Sequence, residues 1–544
     1  MDSVTAERVL REGLGMKLRM ILEAKRDGRK KGRLVGQGFW EDTTVTGIHV
    51  DSPVASFAAV RTLLFKTGRV GEVIASGDIS KAFLMADEYP VTSEPGYCYF
   101  NMYKGGPTRV WRLKGPLYGS RDSPKLWYES FKRFMKTIDT IQGMGFGLDT
   151  EHHGKSDIRQ VVSEIGDGFE QGCNEPCVFK HAVTGLTVVL FVDDIITRGM
   201  PRDTNEFYMK LNEKYSLRSW GVLSASNPLR HLGFTITEGL VDGELHRYMN
   251  QEDDVNRFMI DQGLELIKNV NSPMPDKSAI LRSPELLDED EVSWFKSLVG
   301  SMSWFAVSLR WDIAHSVSRL QQFSVNPTRG ALEAAIRVAL YIATTADFKL
   351  GGKVVYGKDI VKYYTDSDHA GDKGTTTKSH TGIMLVLNGV PVHWRSKKQP
   401  KTVLSPAHAE IYACSEGIKE ARAFQWVAAE LGINLPWPMS VYVDNQQVIS
   451  FKKTSCVNSK LKGMIDTRES WVQELRDDAV VEIVKVKGEL NWADILTKSI
   501  VGWEFVKKVK NIQEGGKQLR LREWARNSKV QASTSQDSGG QSSL

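Results

Sequence analysis

Two adjacent carboxylates, Asp193 and Asp194, lie between two apolar runs that are rich in β-branched residues. The runs, residues 186–192 and 195–197, predict two strands joined by a turn that carries both acids. Two carboxylates at close range destabilise each other, and Mg²⁺, a hard cation that prefers oxygen ligands, would relieve their repulsion. Aspartate is also common in solvated turns, so this stretch alone leaves a metal site and an ordinary turn both open.

A third acid, Asp78, follows a short apolar run at residues 73–75. The run predicts a strand, which would place Asp78 at the end of that strand. Rigid scaffolds commonly present their catalytic groups at such positions. Asp78 is therefore the candidate that would complete a metal site with the acid pair.

A second set of acids occurs in the last third of the chain. Asp366 and Asp444 each follow an apolar run that predicts a strand, and Glu410 lies in a predicted helix rich in alanine and glutamate. Asp494 is expected at the start of another helix. Four acids on separate elements suit a nuclease centre in which two metal ions activate water and stabilise the leaving oxygen. Any one of them alone would be taken for a surface acid, since Asp and Glu are mostly exposed.

Hydrophobic periodicity predicts the elements that must position these acids. Helical patterning follows Pro53 and continues to residue 65. Further helices are expected at residues 203–215, 292–309 and 331–344. The segment 136–175 is rich in glycine and charge and predicts a long loop.

Several motifs resemble those of a known group of polymerases. Asp-x-x-x-Ala-Phe from Asp78 and Phe-Val-Asp-Asp from Phe191 resemble the palm of a reverse transcriptase. Short motifs around them narrow the resemblance to the copia-type (Pseudoviridae) retrotransposons: residues 31–39, 82–84, 117–119, 127–128 and 231–233. The later part of the chain resembles the RNase H that follows in that family. The similarity covers residues 17–500, and its motifs occur in the family's order.

The resemblance implies an RNA-directed DNA polymerase that holds two Mg²⁺ ions, with Mn²⁺ as a substitute, on Asp78, Asp193 and Asp194. It implies an RNA template, a DNA primer and dNTPs as partners. Five residues are expected to bind substrate by resemblance: Lys31, Arg33, Phe83, Arg121 and Asp122. Lys31 and Arg33, which the resemblance places in the fingers, carry positive charges that suit the incoming triphosphate. Phe83 would lie beneath the sugar and exclude a 2′-hydroxyl, and the alternative is an ordinary core phenylalanine.

The implied RNase H would cut the RNA strand of an RNA–DNA hybrid. Its metal ions would be held by the second set of acids: Asp366, Glu410, Asp444 and Asp494. A basic strip in the same part of the chain suits nucleic-acid phosphate. The strip lies beside Trp394 and contains Arg395, Lys397 and Lys398.

The implied fold class is α+β. Residues 1–250 would form the fingers and palm of a right-hand polymerase, and residues 251–355 a helical thumb or connection. Residues 356–500 would form an RNase H-like α/β domain, and residues 501–544 a basic segment with a disordered polar tail.

The composition is that of an ordinary soluble intracellular protein, with 41% hydrophobic residues, 25% charged residues and a net charge of +5. Five scattered cysteines suit reduced thiols, and Cys173 and Cys177 lack the second pair that a zinc site needs. No apolar stretch reaches the roughly 18 residues of a spanning helix, so no membrane partner is expected. The expected location is the cytoplasm, in a virus-like particle by resemblance, with the nucleus as an alternative.

Three departures from the family pattern keep other functions open. Asp122 stands where the family usually has Gln, and Gly463 and Met464 stand where it has Lys and His. The sequence also begins within the resembled fingers, which suggests an N-terminally truncated reading frame. The alternatives are a catalytically impaired remnant that only binds nucleic acid, and a chain that is active only as a nuclease.

Overall fold

The structure, a computed structural model, describes eleven stretches of the chain. They are residues 3–24, 30–38, 50–89, 96–101, 106–138, 168–266, 268–276, 278–371, 377–403, 405–450 and 467–515. The chain divides into two compact units, Met1–Gly239 with Ala423–Asn434, and Leu240–Arg422 with Leu435–Leu544. Most of the expected loop at 136–175, the departures Gly463 and Met464, and the expected tail beyond residue 515 lie outside the described residues.

The first unit contains a four-stranded sheet whose order is β2-β1-β4-β5. Its strands are β1 (Gly15–Ala24), β2 (Lys30–Gly36), β4 (Tyr97–Asn101) and β5 (Thr108–Arg112), and α1 (Ser3–Arg11) precedes them. The backbone N–H of Gly36 donates to the carbonyl of Tyr118 at 2.7 Å. The adjacent Gly119 has a φ of +88°, and a Cβ at this position would overlap the carbonyl oxygen of Gly36. Only glycine meets both conditions without strain.

A six-stranded antiparallel sheet forms the centre of the same unit, in the order β10-β3-β9-β8-β7-β6. Its strands are β3 (Val73–Ile79), β6 (Phe169–Gln171), β7 (Val178–His181), β8 (Thr187–Phe191), β9 (Asp194–Gly199) and β10 (Leu217–Val222). The side chains of β8 and β9 are almost all buried, which explains why both strands read as continuous apolar runs.

Three helices of the first unit carry much of its apolar core: α2 (Phe57–Phe65), α3 (Ser123–Thr137) and α4 (Pro201–Lys214). The expected start of α2 at Pro53 was wrong. The helix begins at Phe57 because the hydroxyl of Ser56 accepts the N–H of Ala59 at 3.1 Å and caps it.

A tight hairpin joins β11 (Leu229–His231) to β12 (Phe234–Val241). Leu232 and Gly233 form the turn with φ values of +52° and +83°, as a two-residue hairpin turn requires. The buried ring of His231 is hydrogen-bonded through Nδ1 to the Ser76 hydroxyl of β3 at 3.1 Å. Burial lowers the pKa of His231 to about 3, so the ring is neutral and ties the hairpin to the strand that carries Asp78.

The second unit begins with a paired β13 (Glu244–Asn250) and β14 (Leu350–Lys353) and a set of helices. The helices are α5 (Glu252–Asp261), α6 (Glu289–Ser308), α7 (Ala314–Gln321) and α8 (Arg329–Thr344). Helix α6 starts three residues earlier than expected because Asp288 and Glu291 form a reciprocal capping box. The buried Arg310 is paired with Asp312 at 2.8 Å, and Tyr341 donates to the same carboxylate at 2.7 Å.

A five-stranded mixed sheet follows, in the order β17-β16-β15-β18-β19. Its strands are β15 (Val361–Asp368), β16 (His380–Leu387), β17 (Val390–Lys398), β18 (Met439–Val443) and β19 (Val481–Lys485). The associated helices are α9 (Pro406–Glu430), α10 (Gln446–Ser450), α11 (Thr467–Asp477) and α12 (Gly502–Gln513). The α-helix expected at Asp494 is instead a short 3-10 helix, Trp492–Leu496. None of the described helices has both the length and the apolar content of a membrane span.

Two candidate carboxylate sites

The structure brings Asp78, Asp193 and Asp194 together at one end of the six-stranded sheet. Asp78 of β3 and Asp194 of β9 are direct register partners on neighbouring strands. Asp193 precedes β9, and its carbonyl oxygen accepts the N–H of Ile79 at 2.8 Å. The turn between β8 and β9 therefore consists of Val192 and Asp193, while Asp194 is already the first residue of a strand.

The turn itself is held in an unfavourable backbone conformation. Val192 has a φ of +58°, which is a costly region for a β-branched residue. Its carbonyl oxygen accepts the indole N–H of Trp127 at 2.6 Å, and the Trp127 side chain is buried. Such local strain often occurs at functional sites, where the surrounding packing maintains it.

The electrostatics of this first site favour a bound cation. Burial raises the pKa of Asp194 to about 7, and the charges of Asp193 and Asp78 add to the rise. Burial also raises the pKa of Asp78, although the charge of Arg218 opposes that rise. The Oδ1 atom of Asp78 is buried and has no hydrogen-bond partner among the described residues. A divalent cation would compensate the charges of all three carboxylates, so the donor set suits the expected metal in its chemistry. Their ligand atoms do not all lie within 4.8 Å of one another, so the carboxylates would have to move closer together to share one ion.

Arg218 is a residue of this site that the sequence did not reveal. It lies on β10, next to β3, and its Nη1 is 2.8 Å from Oδ2 of Asp78. The two residues are separated by 140 positions in the chain, so no local pattern marks the pair. Only the placement of β10 beside β3 brings the arginine to the acid.

Of the five expected substrate residues, Lys31 acts on an acid of this site, and Arg33 and Phe83 interact with the neighbouring Tyr118. The charge of Lys31 acts on Asp78, where it opposes the rise in pKa that burial causes. Burial raises the pKa of Tyr118, Asp193 adds to the rise, and Arg33 opposes it. The ring of Phe83 meets the ring of Tyr118 edge-on, with centroids 5.3 Å apart.

The other two expected substrate residues, Arg121 and Asp122, lie immediately before α3. Oδ2 of Asp122 accepts a hydrogen bond from the hydroxyl of Tyr89 at 2.8 Å. Asp122, which stands where the family usually has Gln, is therefore hydrogen-bonded within its own part of the chain.

The second site is built from residues of the second unit. Ligand atoms of Asp366, Glu410 and Asp444 all lie within 4.8 Å of one another, and no other such group occurs in the part of the chain that the structure describes. Asp366 is on β15, Glu410 is near the start of α9, and Asp444 follows β18.

Burial dominates the electrostatics of the second site. It raises the pKa of Glu410, and the charges of Asp366 and Asp444 add to that rise. It also raises the pKa of Asp366, which the charge of Lys498 opposes. Oδ1 of Asp366 is buried without a hydrogen-bond partner among the described residues. Three converging acids and an unsatisfied carboxylate oxygen fit a metal ion.

Asp494, the fourth expected acid, does not join the group of three. Its Oδ1 is 2.8 Å from Nζ of Lys498, and its Oδ2 is paired with Lys508. Burial alone would raise the pKa of Asp494, but the two lysines together lower it below its ordinary value. Lys498 also lies 3.3 Å from Oδ2 of Asp366 and so bridges the two acids.

Lys498 is thus the residue that sequence analysis missed in the second site. It follows Asp494 by four positions, a spacing that brings opposite charges together on a helix. That spacing was a usable signal for the first contact. The second contact, to Asp366, depends on where β15 lies and has no local signature.

The expected basic strip divides between the two faces of β17. Successive side chains of a strand point to opposite faces, so Lys398 lies opposite to Arg395 and Lys397. Arg395 is paired with Glu420 of α9. Lys398 donates from Nζ to Oε1 of Gln322 at 2.7 Å, and Lys397 is exposed.

Comparison with known proteins shows what this chain is similar to. Residues 16–251 match a family model described as reverse transcriptase (RNA-dependent DNA polymerase). The chain is 27% identical over 504 residues to the retrovirus-related Pol polyprotein from transposon TNT 1-94 of Nicotiana tabacum, covering 89% of this chain and 34% of that protein. It is 25% identical over 506 residues to the truncated transposon Ty1-A Gag-Pol polyprotein of Saccharomyces cerevisiae, covering 88% and 38%.

Residues 16–251 are therefore a domain of the reverse transcriptase family. The chain is a relative of the Pol polyproteins of copia-type LTR retrotransposons, and the resemblance inferred from its motifs is confirmed. It spans about a third of the length of the curated relatives it matches. Among solved structures, the prototype foamy virus protease-reverse transcriptase aligns with 92% of this chain and with 54% of its own chain, at 11% identity and a TM-score of 0.24. A score this low does not establish a shared fold.

Proposed function

We propose that the first unit is an RNA-directed DNA polymerase that copies an RNA template from a DNA primer with dNTPs. The observation that carries this proposal is the pairing of Asp78 with Asp194 across β3 and β9, with Asp193 in the adjoining turn. In this interpretation the two sheets correspond to the fingers and palm, over residues 1–250. The helical part at 251–355 is a thumb or connection that grips the duplex.

The second unit would supply an RNase H that degrades the RNA strand of the RNA–DNA hybrid, over residues 356–500. The group formed by Asp366, Glu410 and Asp444 supports this part of the proposal. Asp494 would join the metal ligands only after it leaves its lysine partners. By the resemblance to the family, the proposed setting is a virus-like particle in the cytoplasm, with the nucleus as the alternative.

The chemistry assigned to each residue follows from its position. Mg²⁺, held by Asp78, Asp193 and Asp194, would supply charge stabilisation for an in-line attack of the primer 3′-hydroxyl on the α-phosphorus, in which the bond from the α-phosphorus to the bridging oxygen of the β-phosphate breaks and pyrophosphate leaves. Lys31 and Arg33 orient the triphosphate by charge. Phe83, braced edge-on against Tyr118, limits the space for a 2′-hydroxyl. The protein contributes mainly positioning and electrostatic preorganisation.

Primer extension on an RNA template with Mg²⁺ and dNTPs tests the polymerase. Wild type should extend the primer, and Asp193→Asn/Asp194→Asn should not, because the metal ligands are lost. The matched control is Asp51→Asn, which neutralises an exposed acid of the same unit and should extend normally. Folded wild-type protein that extends no primer would refute the polymerase assignment.

Cleavage of a labelled RNA–DNA hybrid tests the nuclease independently. Wild type should cut the RNA strand, and Glu410→Gln should not. Cleavage without extension would identify a chain that is active only as a nuclease. Hybrid binding with neither activity would identify a remnant that only binds nucleic acid.

A further inference from the structure

Helix α12 carries a lysine on the face that it buries. Phe505, Val509 and Ile512 are buried and recur at helical spacing, so they form the apolar face of the helix. Lys508 follows Phe505 by three residues and therefore lies along that same face. The neighbouring Lys507 is exposed to solvent. A lysine in such a position is costly unless an acid compensates its charge.

The acid that compensates Lys508 is Asp494, the fourth acid of the proposed nuclease. The ammonium group of Lys508 is paired with Oδ2 of Asp494, and the two side chains are only 11% and 14% exposed. Oδ1 of the same carboxylate is paired with Lys498, so each oxygen of Asp494 has its own cation. An acid paired in this way is a poor metal ligand, because a metal ion has to compete with both ammonium groups.

The two lysines differ in how easily they can leave the acid. Lys498 lies four residues after Asp494 and its side chain is 41% exposed, so it can turn into solvent while the backbone stays in place. Lys508 belongs to another element and its side chain is nearly enclosed. It can leave Asp494 only if α12 shifts, so the contact with α12 is the one that fixes the state of the acid.

Helix α12 is itself docked on the helical part of the second unit. The ring of Phe505 meets the ring of Tyr341 of α8 edge-on, with centroids 5.6 Å apart. Nε2 of Gln513, the last residue of α12, donates to the carbonyl oxygen of Lys349 at 3.3 Å. The position of Lys508 therefore depends on how α12 packs against α8 and the segment that follows it.

We propose that Lys508 is a positioning residue that competes with a divalent metal ion for Asp494, so that the docking of α12 on α8 sets the metal affinity of the second carboxylate site. The proposal rests on the nuclease function proposed above and adds a means of control to it. With α12 docked, three acids alone would hold a metal ion: Asp366, Glu410 and Asp444. With α12 displaced, Asp494 can join them as a fourth ligand.

The test is isothermal titration calorimetry of the full chain with Mn²⁺, in an Asp193→Asn/Asp194→Asn parent that lacks ligands of the first site. Lys508→Met keeps the apolar stem and removes the charge, so it suits the buried face of α12. It should raise the affinity of the second site for Mn²⁺ about tenfold, because the ion no longer has to break a charge-assisted hydrogen bond. Lys508→Arg keeps the cation and should bind Mn²⁺ as its parent does.

Two further variants separate charge from docking. Lys507→Met removes the same charge from the exposed face of α12 and should leave the Mn²⁺ affinity unchanged. Phe505→Leu weakens the contact with Tyr341, and it should raise the affinity when Lys508 is present and have no further effect in Lys508→Met. An unchanged affinity in Phe505→Leu would overturn the role of helix docking.

Cleavage of the RNA–DNA hybrid, measured with intact first-site acids, separates failure of this competition from failure of the nuclease. If the wild-type chain cuts the hybrid and Lys508→Met binds Mn²⁺ no more tightly than its parent, the competition is refuted and the nuclease stands. Weaker binding by Lys508→Met would also refute the competition, since Lys508 would then position Asp494 as a ligand. Tighter binding by Lys508→Met in a chain that cuts no hybrid would refute the nuclease and uphold the competition.

Discussion

In the first site, burial and the neighbouring carboxylates raise the pKa of Asp194 to about 7. An unfolded aspartate titrates near pH 3.9. Because the folded pKa is the higher of the two, the folded chain binds the proton more tightly, and ionisation opposes folding. Without metal, the first unit should therefore lose stability as the pH rises from about 4 to about 7, and change little above that.

Asp194→Asn should reduce this pH dependence and leave the part that Asp78 and the acids of the second site contribute. Above pH 7 we expect the metal-free variant to be more stable than wild type by about 2–4 kcal/mol, since the cost of the buried charge is gone. Differential scanning calorimetry of both proteins in EDTA at pH 5 and pH 8 measures the stability difference. Asp51→Asn, at an exposed acid, should keep the wild-type dependence, and an unchanged profile in Asp194→Asn would count against the stated origin of the shift.

In the second site, the side chain of Lys498 lies between Asp366 and Asp494 and forms an ion pair with each. In the absence of divalent metal, Lys498→Ala should lower the free energy of unfolding by about 1–3 kcal/mol, because the acids lose their compensating charge. Added Mn²⁺ should then stabilise the variant more than it stabilises wild type. The thermal midpoints with and without Mn²⁺ give the comparison.

The matched control for this change is Lys507→Ala, which removes an exposed lysine from α12. It should alter neither the metal-free midpoint nor the response to Mn²⁺. A Lys498→Ala chain as stable as wild type in EDTA would show that the ammonium does not hold the acids.

At the scale of elements, the first site depends on how β2 meets the segment that carries Tyr118. Gly119 makes this meeting possible, because its backbone is left-handed and a Cβ would overlap the carbonyl of Gly36. This contact holds the strand of Lys31 and Arg33 beside Tyr118, and Tyr118 braces Phe83. The positions of three expected substrate residues thus follow from one close backbone approach.

Gly119→Ala should therefore destabilise the first unit by at least about 2 kcal/mol, the sum of an unfavourable backbone region and an overlap that backbone atoms cannot relieve. Chemical denaturation followed by tryptophan fluorescence measures the loss. Gly239→Ala is the control, since a Cβ there meets nothing within 4 Å. Equal stabilities for the two variants would remove the close approach as the reason for glycine at this position.

At the scale of the whole molecule, each carboxylate site is made entirely from residues of one compact unit. The two proposed activities should therefore be separable. Asp193→Asn/Asp194→Asn should abolish primer extension and keep at least half of the hybrid cleavage, and Glu410→Gln should do the reverse. Extension and cleavage assays on the same preparations test whether the two activities are independent. A single change that abolishes both activities in folded protein would contradict that independence.

Much of this organisation was predictable from the sequence, because the signals are local. Continuous apolar runs rich in β-branched residues predict β8 and β9 around the acid pair, and helical periodicity predicts α6 and α8 to within a few residues. The motifs around Asp78 and Asp193 pointed to the reverse transcriptase family. Errors at element ends, such as the start of α2, arose because a side-chain cap rather than the nearest proline set the boundary.

Which distant residues share a site depends on the tertiary structure. The acids, their order and most of the elements that carry them can be read from the sequence. It could not show that Arg218 reaches Asp78, that Lys498 bridges Asp366 and Asp494, or that Lys398 turns away from Lys397 toward α7. The physical reason is that charge pairing and burial depend on strand order and helix placement, which join residues over a hundred positions apart.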